Sequence, residues 1–93
     1  MRHFEPEDNL RRTQVALSTE LDQETVLMSI DAGAYYGLAG TAREIWAKIE
    51  TPLTFSALVD ELVKEYDIAP ELCSAELEKF LGQMEQEGLL HVE

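Results

Sequence analysis

Ninety-three residues, 45% apolar and 28% charged, have the size and balance of one globular domain with a single core. Seven Lys and Arg against 19 Asp and Glu leave a formal charge of −12, no long stretch is net basic, and a surface of that sign repels nucleic-acid phosphates. No apolar run approaches the ~18 residues of a spanning helix, no apolar stretch follows Arg2 as in a secretory signal, and the single Cys73 has no second cysteine for a disulfide or metal pair; a cytoplasmic protein without membrane, metal or other cofactor is expected.

Residues 1–12, which mix charge with Pro6 and show no period, are expected as a flexible arm, with the domain over 13–93. Thr13 to Ser18 alternates, and Thr25 to Ile30 does so again with Val26, Met28 and Ile30 on one face, so both predict strands joined by the polar stretch Thr19 to Glu24. Asp31-Ala32-Gly33 predicts a tight turn with Gly at positive φ, and Ala34-Tyr35-Tyr36-Gly37-Leu38 a third strand.

After Gly40 the period changes to that of a helix. Thr41 and Glu44 have the spacing of a capping box, Ala42, Ile45, Trp46 and Ile49 form an apolar stripe, and Pro52 stops the helix. Thr54 can cap a second helix with Phe55, Leu58, Val59, Leu62, Val63 and Tyr66 on one face. Pro70 suits the first turn of a third, whose apolar face is Cys73, Leu77, Phe80, Leu81 and Met84; Gly88 ends it, with Leu89 and Met84 placed for the contact that accompanies a left-handed cap.

The expected fold is thus α+β: a three-stranded antiparallel sheet followed by three helices, winged helix-turn-helix-like in its second and third helices. DNA binding does not follow. The third helix carries Glu71, Glu76, Glu78, Glu85 and Glu87 against Lys79 alone, where a recognition helix must approach phosphate. Catalysis also lacks material: His3 and His91 lie at opposite ends, and no nucleophile with a base, metal-ligand spacing or phosphate loop is present, so no enzyme is expected. Cys73, on an apolar stripe, reads as a small core residue before it reads as a reactive thiol.

The third strand differs from an ordinary guarded edge. Ala34 to Leu38 has neither charge nor proline, Gly37 leaves room for another backbone, and Tyr35 and Tyr36 offer rings with polar tips. Such an edge can accept an added strand. The alternative is that Tyr36 and Leu38 complete the core and the N-terminal arm covers the edge.

The series Tyr35-Tyr36-Gly37-Leu38-Ala39-Gly40-Thr41-Ala42-Arg43-Glu44-Ile45-Trp46, then Phe55-Ser56-Ala57-Leu58, Glu65-Tyr66-Asp67, Phe80-Leu81-Gly82-Gln83-Met84 and Glu87-Gly88-Leu89-Leu90, resembles the PqqD family from about Val15 to Leu90. Many relatives carry Asn in place of Gly40. The resemblance implies a recognition element for ribosomally synthesised, post-translationally modified peptides, in which a precursor's leader adds as a strand to the third strand and lies between it and the third helix. Carried onto this chain, the site is Ala34, Tyr35, Tyr36, Gly37 and Leu38 on the strand, with Cys73, Leu77, Phe80 and Met84 as the groove wall and Glu76 and Gln83 at its rim. It further implies a monomer or weak homodimer serving a leader protease and a cyclising enzyme, with lasso-peptide biosynthesis favoured. A partner of a radical enzyme, or an adaptor for a folded subunit, are the alternatives.

Overall fold

The computed structural model describes residues 3–13, 16–29 and 33–93. In chain order it runs β1 (Asn9–Arg12), β2 (Ala16–Leu21), β3 (Glu24–Ser29), β4 (Ala34–Ala39), α1 (Gly40–Lys48), β5 (Leu53–Thr54), α2 (Phe55–Tyr66), α3 (Pro70–Gln86) and β6 (Leu90–Val92). Strands β2, β3 and β4 form the expected antiparallel meander and the three helices follow. A second sheet, unforeseen, has the order β5-β1-β6.

The first meander strand lies later than expected: Gln14 and Val15 lie outside the described residues, and β2 continues to Leu21. Only Asp22 and Gln23 remain as a turn, with Asp22 at a φ of 55° that Asp tolerates better than most residues. The polar residues of this stretch stay in strand because they satisfy one another. Thr25 donates from its hydroxyl to the Glu20 carboxylate at 2.9 Å, and Arg43 of α1 pairs with Glu20 at 3.2 Å. On β3 the buried face is Thr25 and Leu27, not that of Val26 and Met28, which stay half-buried. Cross-strand register explains the choice, since Leu27 lies opposite Tyr36 and Thr25 opposite Leu38, both facing the helices. Ile30 and the Asp31-Ala32 part of the expected turn lie outside the described residues; Gly33 has a φ of +63°.

Strand β4 runs directly into α1 through Gly40 at a φ of +60°, a conformation open to Gly and, next best, to Asn. The helix therefore starts before Thr41, and the expected capping box does not form: the N-cap is Ala39 and no side chain caps it. Ile45, Trp46 and Ile49 are buried as the stripe requires. Thr54 does cap α2, its hydroxyl accepting from the Ala57 amide at 3.1 Å. Lys48 ties α1 to α2 through Glu65 at 2.8 Å and Glu61 at 3.6 Å.

Pro70 occupies the first turn of α3. At its other end Gly88, φ +79°, donates to the Glu85 carbonyl while Leu89 donates to that of Met84 at 2.9 Å. That pair of bonds is a Schellman motif, and Met84 and Leu89, the two residues expected to meet there, are both buried.

Of residues 1–12, expected as an arm, Met1 and Arg2 lie outside the described residues, and residues 3–12 instead enter the fold. Strand β1 pairs with β5 and β6, Leu10 is fully buried, and Phe4 stacks on Phe55 with centroids 5.4 Å apart. The Phe4 amide donates to Glu78 of α3 at 2.8 Å. Burial of two large apolar side chains outweighs the polar character of the segment, at about 1.5–3 kcal/mol each.

Candidate functional site

The meander ends at β4, whose outer edge has no partner strand among the described residues. Half of its backbone donors and acceptors point toward β3 and half point outward, as alternation in an antiparallel pair dictates. Along it Tyr36 and Leu38 face inward and are partly or fully buried, while Tyr35 stands 73% exposed on the opposite face with Gly37. Strand β1 of the N-terminal segment does not cover this edge, because it is committed to the other sheet.

Between β4 and α3 lies a cavity of about 210 Å³ lined by Tyr36, Gly37, Leu38, Phe80, Gln83, Met84, Glu87 and Leu89. A larger one, about 440 Å³, continues along α3 past Cys73, Glu76, Leu77 and Phe80, and is closed on the far side by Thr41, Ala42 and Ile45 of α1 with Leu62, Tyr66 and Ile68. Phe80, half-buried, lines both, so the two spaces adjoin at this residue and together make the groove along the helix.

The groove is mostly apolar, and one pair of its polar groups is held in place. The Tyr36 hydroxyl donates to Glu87 Oε2 at 2.5 Å, a clasp between strand and helix end. That hydrogen bond, then burial, raises the Tyr36 hydroxyl above its ordinary value. Burial likewise pushes the Cys73 thiol up, which keeps it a protonated, unreactive wall residue. Among the described residues no group of His, Cys, Asp and Glu is placed to hold a metal ion, and no helix is long and apolar enough to cross a membrane.

Of the residues expected from sequence, Tyr36, Gly37, Leu38, Phe80, Gln83 and Met84 meet at the smaller space, and Cys73, Glu76, Leu77 and Phe80 at the larger. Ala34 begins β4, and Tyr35 points away from the groove. Sequence reasoning missed Glu87 and the α1 and α2 side of the larger space. Tyr66 carried a signal, as a 40% exposed aromatic at the end of an otherwise buried stripe, but its period assigned it to the core.

An α+β domain with an open strand edge facing an apolar helical wall across a groove is built to take an extended chain. Residues 24–90 match the family described as Coenzyme PQQ synthesis protein D (PqqD), and the chain belongs to that family. No curated protein matches it. Among solved structures it is similar to one described as "TbiB1 in Complex with the TbiA(beta) Leader Peptide", with 26% identity over 85% of this chain and 93% of that one and a TM-score of 0.77. It also shares the fold of "Lasso peptide synthetase B1 complexed with the leader peptide", at 17% identity over 88% and 96% of the two chains and a TM-score of 0.78.

Proposed function

We propose that this chain binds the leader segment of a ribosomally made precursor and presents it to a leader protease and a cyclising enzyme of a lasso-peptide-type pathway, without catalysing a step itself. One observation carries the reading: the unpaired edge of β4 faces α3 across a groove, in a chain similar to a protein whose structure holds a leader peptide. The leader lies along Ala34 to Leu38 as an added strand. Main-chain hydrogen bonds supply affinity, while its inward side chains enter the apolar spaces beside Phe80, Leu77 and Met84.

Titration of the chain with a fluorescent synthetic leader, taken from the precursor encoded beside its gene, tests this. Saturable binding is expected, and Phe80→Ala should weaken it at least tenfold while the circular dichroism spectrum is retained, as for a central apolar anchor. No saturable binding would falsify the reading, and loss of only a protein complex would favour an adaptor for a folded subunit.

A further inference from the structure

The groove carries charge of one sign, at defined places. Among the described residues, neither space is lined by Lys or Arg. Glu87 borders the smaller one, and its position is fixed because Oε2 accepts the Tyr36 hydroxyl. On the other face of the same strand the Glu24 carboxylate lies beside Gly37, with Oε1 2.7 Å from where a Cβ would stand. A chain pairing with β4 at Gly37 therefore meets a carboxylate on either side of the sheet. Further along α3, Glu76 borders the larger space. Among the described residues it pairs with Lys79 alone, at 3.8 Å and with side chains 64% and 61% exposed, a long solvated contact that leaves the acid largely uncompensated.

We propose that the groove selects an extended peptide bearing Lys or Arg at the inward position opposite Glu87, where a charge-assisted hydrogen bond at an apolar wall fixes the peptide's register. This rests on the peptide-binding reading above and adds the chemistry of the ligand. An aliphatic stem suits the apolar part of the groove and a cationic head its fixed carboxylate, which is how long basic side chains divide themselves between apolar and polar surroundings. Holding Glu87 by Tyr36 lowers the ordering cost of forming the pair. The overall charge of −12 draws any basic peptide inward, but only a local pair sets a position.

Selection on the immobilised full chain from a random library of about 15-residue peptides, long enough for a six-residue strand with flanks, tests both levels. The expected result is a consensus with one basic position among apolar ones. Glu87→Lys should replace that basic position by Asp or Glu, whereas Asp60→Lys on the exposed side of α2, an equal change in net charge, should leave it in place. Replacing the consensus base by Gln should weaken binding about tenfold, and Glu87→Gln should add no further loss to that peptide. A consensus without a basic position, or one that Glu87→Lys and Asp60→Lys alter alike, overturns the proposal and leaves peptide binding standing. Failure to enrich any sequence brings down the peptide-binding reading itself.

Discussion

Arg12 ends a strand that the sequence did not announce, yet it is among the most connected side chains present. Its Nε donates to the Trp46 carbonyl at 3.2 Å, its Nη2 donates to the same oxygen, and its guanidinium carbon sits 4.4 Å from the Trp46 ring centroid. Burial lowers the pKa of its guanidinium, against the pull of Glu50 and Glu20, which raise it. The Trp46 indole nitrogen has no partner among the described residues, so Trp46 is held through its ring and its carbonyl. Arg12→Ala should cost about 1–3 kcal/mol, and Arg12→Lys should recover only part of that because it loses the planar fork. Urea unfolding followed by the fluorescence of Trp46, the sole tryptophan, measures both. Trp46 was legible as part of an apolar stripe. Arg12 was not, because its partner lies 34 residues away and no local period links them.

Tyr36 shows at the same scale how a site residue couples to stability. Its hydroxyl is raised by the bond to Glu87, so the folded chain holds that proton after the unfolded chain has released it. The stabilisation is fully present below the ordinary tyrosine value of about 10 and is lost as pH rises from there through the folded value. Stability measured above about pH 10 should therefore fall more steeply for the natural chain than for Tyr36→Phe. The variant should also lack a phenolate step that lies above the ordinary range in an absorbance titration. Equal slopes for the two proteins would mean that the clasp does not persist in solution.

Among the elements, those with a strong period or a chemical punctuation mark were legible. The stripe and cap of α2, Pro70 at the start of α3 and the Gly88 stop all hold, whereas Thr41 fails as a cap because β4 enters α1 without a break. Strands β1, β5 and β6, of four, two and three residues, are too short to show alternation. The open edge of β4 was legible through its composition; the contribution of α1 and α2 to the groove depends on tertiary packing and was not. Gly37 separates folding from binding on this edge. A side chain there meets only the end of the exposed, flexible Glu24 side chain, so Gly37→Val should change stability by less than about 1 kcal/mol, a sheet position gaining a β-branched residue. The same valine would stand beside any strand approaching β4 and should weaken leader binding about tenfold or more. Gly88→Ala should do the reverse, costing about 1 kcal/mol for an L-residue at positive φ while leaving binding near that of the natural chain. Denaturant melts paired with peptide titrations separate the two effects.

For the whole molecule, the decisive correction concerns residues 3–12. A loose arm could be removed at no cost, but β1 is the middle strand of its sheet, and among the described residues β5 and β6 pair only with it. Removing residues 1–12 leaves those two strands without partners and opens the core where Phe4 and Leu10 were, both at most 2% exposed. The two side chains alone are worth about 3–6 kcal/mol of burial. Domains of this size have about 5–15 kcal/mol of stability in all. A chain lacking residues 1–12 should therefore lose cooperative thermal unfolding, seen by circular dichroism and by Trp46 emission, although the described residues among those deleted line neither part of the groove. The finer variant Phe4→Ala, which keeps β1, should remain folded but melt at least 10 °C lower, from a loss of about 3–5 kcal/mol for a buried Phe. A truncated chain that melts within a few degrees of the full one would show that the N-terminal segment is an appendage and that the core closes without it.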